Sequence, residues 1–180
     1  MAQFARPDSD ISVSTQGGGY RWWVGNGVSQ ANYYQAIDEA SADDTDFIRF
    51  KNNDAEVGVE WAKFTLSDIS QPSDLSTLSI RTRVNNSTDN LYVRLYEDSS
   101  LIKSYTTGTG SLRNVDQALS EAEAENITDY SDLILWLGID TETTATSRVY
   151  QAYLEAGDAS GGDSGTTDKK TFNIVKDMGS

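Results

Sequence analysis

Five carboxylates, Asp38, Glu39, Asp43, Asp44 and Asp46, fall within nine positions, with only Ala40, Ser41, Ala42 and Thr45 between them. Clustered carboxylates are the raw material of a Ca²⁺ site, which takes about six to eight oxygen ligands from a flexible loop. The spacing lacks the central Gly and closing Glu of an EF-hand loop. Like charges this close repel, so the expectation is a solvated connection between two strands, with no metal bound. Glu60, beside Trp61, and Glu155 are a second candidate, as paired acids for glycoside hydrolysis. Such pairs need a defined separation of about 5–10 Å, and nothing in the sequence marks these two out from the other acids. Aromatic side chains are the third. Trp22 or Trp23, Tyr92, Tyr96, Trp136 and Tyr153 could stack on sugar rings or anchor a protein interface, although core packing accounts for most aromatics. Tyr92 and Tyr96, with Arg94 between them on the polar side of a regular strand, are interface candidates, as is Trp23.

The totals restrict the chemistry. The 180 residues contain no Cys and no His. Thiolate nucleophiles, disulfides and thiolate metal sites are therefore excluded, and the commonest general base near neutral pH is missing. A non-enzymatic protein without cofactors is expected. Fourteen Lys and Arg stand against 28 Asp and Glu, a formal net charge of −14. Such a surface repels phosphate backbones, so nucleic acid is not an expected partner. No apolar run approaches the about 20 residues that cross a bilayer, and the first ten residues lack the apolar core of a secretion signal. Neither a membrane partner nor Sec export is expected.

The elements that must position these residues read as strands. Residues 1–8 look like an extended arm, since Pro7 fixes its own φ and pushes Arg6 toward extended backbone. Ile11 and Val13, then Tyr20, Trp22 and Val24, alternate with polar or opposite-face residues. In residues 34–50 an apolar run (Tyr34, Ala36, Ile37) enters the acidic turn and a second (Phe47, Ile48, Phe50) leaves it. A strand over residues 56–66 shows an apolar slip between Trp61 and Phe64, which suggests a bulge. Leu78, Ile80, Thr82 and Val84 share one face of the next strand, and Leu91, Val93 and Leu95 one face of the strand after it; a polar turn between them suggests a hairpin. Another short strand covers residues 101–106. Ser120 and Glu123 have capping-box spacing, so a helical turn follows to Asn126. Residues 133–139 are apolar on both faces, as in a central strand, and Arg148 to Leu154 give the last one. Residues 157–170 have linker composition, and residues 171–180 regain Phe172, Ile174 and Val175, a possible contact arm. Residues 9–156 would then form one domain of eight to ten strands with one helical excursion, an all-β antiparallel sandwich of jelly-roll type.

Four segments carry a resemblance. Arg6-Pro7-Asp8-Ser9-Asp10-Ile11, Tyr34-Gln35-Ala36-Ile37-Asp38-Glu39, Asp43-Asp44-Thr45-Asp46-Phe47-Ile48 and Ile127-Thr128-Asp129-Tyr130-Ser131-Asp132-Leu133 resemble a group of structural proteins of tailed bacteriophages and prophages. The likeness spans residues 4–156, and its motifs are structural rather than catalytic. It implies a sandwich displayed on a virion, as capsid decoration or as part of a fibre. On that footing the expected role is a decoration or cement protein on the capsid surface. Its partners would be the major capsid protein or other virion subunits, and further copies of itself, a trimer among the options. Phe172, Ile174 and Val175 would lie in a cementing arm. The other expectation is a carbohydrate-binding sandwich of a head or tail fibre, attaching the virion to host glycans.

Overall fold

The computed structural model describes residues 2–13, 21–26, 28–29, 32–41, 43–52, 59–85, 89–140 and 147–157. Eleven strands are present among them: β1 (Gln3–Ala5), β2 (Pro7–Val13), β3 (Arg21–Gly25), β4 (Ile48–Asn52), β5 (Val59–Leu66), β6 (Thr77–Val84), β7 (Asn90–Glu97), β8 (Ser100–Thr107), β9 (Gly110–Ala118), β10 (Leu133–Asp140) and β11 (Arg148–Ala156). A 3₁₀ turn (Tyr33–Ala36) and a short helix α1 (Glu121–Glu125) complete the set. The first sheet runs β3-β4-β11-β6-β9 and the second β2-β5-β10-β7-β8, every pair antiparallel. Strands β4 to β11 pass between the two sheets so that each sheet holds four of them, ordered 4-11-6-9 and 5-10-7-8. That winding is the jelly roll.

Leucine alternation in β10 explains its place at the middle of the second sheet. Leu133, Leu135, Leu137 and Ile139 point inward and are almost fully buried. In register, Leu135 lies between Phe64 of β5 and Leu95 of β7. The facing sheet contributes Ile48, Phe50, Leu78, Ile80 and Val149, so the two inner faces close one continuous core.

Residues 3–8 do not form a free arm. β1 pairs with the C-terminal half of β11, and the chain then changes sheets at Pro7 to pair β2 with β5. Ser67 N–H donates to the Arg6 carbonyl and Arg6 N–H to Ser67 Oγ, which fixes the crossing. The reason is the exposed flank of β11. β4 covers only Arg148 and Val149, Ala152 N–H donates to the Ile37 carbonyl, Gln151 Nε2 to that of Glu39, and β1 takes Leu154 to Ala156. A central strand left half unpaired would strand buried polar groups, so the N-terminus is drawn in.

Four further differences from the sequence reading have plain causes. Tyr33–Ala36 is a 3₁₀ turn, not a strand, because Asp10 reaches across from β2 and accepts the Tyr33 and Tyr34 N–H groups at 2.9 and 2.8 Å. β6 and β7 lie in different sheets, so they are not a hairpin. The tight hairpin is β7–β8, with Asp98 at φ 50, a conformation Asp tolerates. β5 pairs with β10 without a break; Trp61 points outward and Phe64 inward, and the bulges sit in β2. β9 escaped notice because it is an edge strand whose side chains are half-buried or exposed throughout.

The motif residues behind the resemblance serve these turns. Glu97 accepts from Thr128 N and Oγ1 and from Asp129 N, Asp129 accepts from Ser131 N and Oγ, and Asp43 accepts from Thr45 N and Oγ1. The capping box expected at Ser120 and Glu123 is present in full.

Candidate functional site

The outward faces of the two sheets differ. On the first sheet it is mixed: Ser79 donates to Asp116 and Arg81 to Asn114 and Asp44, Arg49, Arg148 and Arg83 share a row, and Tyr153 meets Phe4. On the second it is aromatic. Three cross-strand rows set the pattern on β5, β10 and β7: Thr65, Ile134 and Tyr96; Lys63, Trp136 and Arg94; Trp61, Gly138 and Tyr92. Ser9 and Ser12 of β2 and Ser104 and Thr106 of β8 continue the rows on either flank as hydroxyls.

The rings touch one another. Trp136 stands 4.5 Å from Tyr96 and 5.7 Å from Trp61, and Trp61 stands 6.3 Å from Tyr92, centroid to centroid. Each is half-buried, mostly by its neighbours, and none belongs to the core. Gly138 makes the arrangement possible. A Cβ there would lie 2.7 Å from Trp61 Cε3 and 2.6 Å from Val59 Cγ1, so only glycine lets the Trp61 indole lie down across β10. Gly138→Ala is therefore expected to lift Trp61, shift tryptophan emission and cost about 1–2 kcal/mol by overpacking, read by thermal unfolding.

Two cations sit in this surface. Lys63 Nζ lies 3.7 Å from the Trp136 ring centroid and Arg94 Cζ 4.5 Å from that of Trp61. Among the described residues neither has a carboxylate partner, and Arg94 Nε and Trp136 Nε1 are shielded from water without an acceptor.

The other candidates disperse. Trp23, an interface candidate by sequence, is fully buried: it pairs with Phe50 across β3 and β4 and packs edge-on to that ring at 5.6 Å. Inward pairing with an apolar partner makes it core, so its ring is closed to any partner. The Trp22 side chain and Phe172, Ile174 and Val175 lie outside the described residues. Tyr153 is on β11 of the first sheet, edge-on to Phe4 at 5.6 Å. Glu60 and Glu155 belong to different sheets, Glu155 on an exposed position of β11, and form no acid pair. Sequence reasoning placed Tyr92, Arg94 and Tyr96 on one face but missed Lys63 and read Trp61 only as an apolar residue of its strand beside a bulge. Alternation with the inward Phe64 was the signal that Trp61 faces out.

The acidic cluster splits into separate tasks. Asp43 serves its turn, Asp44 pairs with Arg81 at 2.6 Å, and Glu39 folds inward with both carboxyl oxygens shielded and unpartnered. Among the described residues no three acidic side chains are placed to hold a metal ion. Burial, helped by the charges of Asp38, Asp46 and Asp43, pushes the Glu39 carboxyl up to about 7. The folded protein thus keeps a proton there that the unfolded chain releases near 4.5. The associated stability is full below pH 4.5 and is lost as pH rises toward 7. Glu39→Gln is expected to be more stable than the parent at pH 8 by about 1 kcal/mol, after discounting for partial exposure, with the gap gone at pH 4.5. Denaturant melts at the two pH values test this.

No family model matches the chain, and no curated protein matches it. Solved structures similar to it include an arabinose-bound α-L-arabinofuranosidase, MgGH51, at 13% identity and a TM-score of 0.48, over 83% of this chain and 25% of that one. Another is the module TmCBM61 in complex with β-1,4-galactotriose, at 9% identity and 0.43, over 79% and 97%. A third is the enzymatically active domain of bacteriophage CBA120 tailspike protein 4, at 9% and 0.43, over 86% and 19%. The chain spans a quarter of the arabinofuranosidase and a fifth of the tailspike domain. The jelly-roll assignment itself rests on the order of this chain's own strands.

Proposed function

We propose that this chain is a non-enzymatic carbohydrate-binding sandwich that holds a glycan against the outer face of its second sheet. The observation that carries this is the joined platform of Trp61, Trp136, Tyr96 and Tyr92, which the core does not require. Sugar rings present C–H faces that pack on aromatic faces and hydroxyls that exchange hydrogen bonds, and here aromatic rows are bordered by Ser and Thr. A contiguous apolar surface on an otherwise acidic protein calls for an occupant. On a virion fibre, as the sequence resemblance implies, such a face would attach a particle to surface glycans.

The capsid-cement reading takes residues 1–7 and 171–178 as contact arms. The N-terminal one is built into the sheets, which leaves that reading with residues 171–180 alone, outside the described residues. A glycan array probed with the full chain, followed by calorimetry on the hits, tests the binding reading. Saturable binding to at least one glycan class is expected. A blank array together with retention of the protein on purified phage heads would overturn it in favour of cement.

A further inference from the structure

Resting on the glycan-binding reading, we infer that the ligand is an acidic glycan, a chain containing uronic acid, whose carboxylates are met by Lys63 and Arg94. The whole chain carries a net charge of −14, yet its aromatic face has the opposite sign. At the outward positions Trp61, Lys63 and Thr65, Ile134, Trp136 and Gly138, and Tyr92, Arg94 and Tyr96, the only charged groups are the two cations. They occupy one row on either side of Trp136, two strand spacings or about 10 Å apart along the backbone.

Cations elsewhere on the molecule are of two kinds: Arg6 and Arg148 also lie over single phenylalanine rings, and others are ion-paired. Arg81 is held by Asp44 and Lys103 by Glu123, each within salt-bridge distance. Lys63 and Arg94 instead rest on tryptophan rings, with no carboxylate partner among the described residues, and Arg94 Nε is shielded without an acceptor. A ring face satisfies a cation only weakly, whereas a carboxylate held by a guanidinium gains short, charge-assisted and often paired hydrogen bonds. A neutral sugar would leave both charges as they are. A uronate stacked on Trp136 would bring its carboxylate between Lys63 and Arg94, in a row whose charged groups are both positive.

The test titrates the full chain with matched oligosaccharides by calorimetry: hexagalacturonate against its methyl ester, and oligomannuronate against its carboxyl-reduced form. The acidic member of a pair is expected to bind about tenfold more tightly at low salt, with the advantage shrinking as salt is raised. In the Lys63→Gln/Arg94→Gln double variant the acid-to-neutral affinity ratio is expected to fall toward one, whatever happens to each affinity separately. Equal or better binding of the neutral member overturns the acidic assignment and leaves the platform reading standing. Failure of every acidic and neutral probe, here and on the array, overturns both.

Discussion

Phe64→Ala is expected to lower the unfolding free energy by about 3–5 kcal/mol, a large part of the total for a domain of this size. Phe64 is completely buried and lies beside Leu135 in register at the centre of the inner face of the second sheet. Truncation removes most of an aromatic side chain from a site walled by two stacked sheets. Backbone hydrogen bonds on both flanks of β5 prevent those sheets from collapsing into the gap. Phe64→Leu keeps most of the volume and is expected to cost about 1–1.5 kcal/mol. Leu101→Ala, at a side chain 51% exposed, should change stability by less than about 0.5 kcal/mol. Equilibrium denaturant melts of the three variants rank them directly. A loss for Phe64→Ala no larger than for Leu101→Ala would mean that the core does not run through β5 and β10, and the two-sheet architecture would fall with it.

The same residues show how much of this protein could be read from its sequence. Period-two alternation identified β6 and β7 and put Leu91, Val93 and Leu95 inside, because a side chain's face depends only on its own strand; β10, apolar on both faces, was legible as a central strand but not as to which face is inner. Pairing partners depend on where the chain travels between strands, and alternation carries no record of that. Hence β6 and β7 were read as a hairpin although they belong to opposite sheets. The fate of residues 3–8 was hidden for a related reason: β1 is held by a gap along β11, some 150 positions away in sequence. At the aromatic face, Tyr92, Arg94 and Tyr96 were legible as neighbours on one strand. Their junction with Trp61 and Trp136 was not, since cross-strand rows exist only once register is set, and the ring-to-ring contact depends on Gly138, a residue with no side chain to attract notice.

Trp136→Ala is expected to weaken glycan binding by about 10–100-fold, equivalent to about 1.4–2.7 kcal/mol, while leaving the fold intact. Trp136 is the shared member of the platform, in contact with Tyr96, Trp61 and the Lys63 ammonium. Its loss removes one stacking surface and also frees Trp61 and Tyr96 to turn away, so the effect should exceed that of Tyr92→Ala at the end of the row. Trp136→Phe keeps a flat ring against Tyr96 and is expected to recover part of the affinity. Because Trp61 and Trp136 touch, the double alanine variant should cost less than the sum of the two single changes. Stability separates this from trivial unfolding. Trp136 is half-exposed and its removal should cost about 1 kcal/mol, whereas the fully buried Trp23, replaced by alanine, should cost about 3–5 kcal/mol and leave the affinity of the folded fraction unchanged. Calorimetric titration alongside denaturant melts of Trp23→Ala and Trp136→Ala thus gives opposite orders for binding and for stability. If both variants lost affinity only in proportion to the fraction unfolded, the aromatic face would be an ordinary packed surface and the binding reading would be wrong.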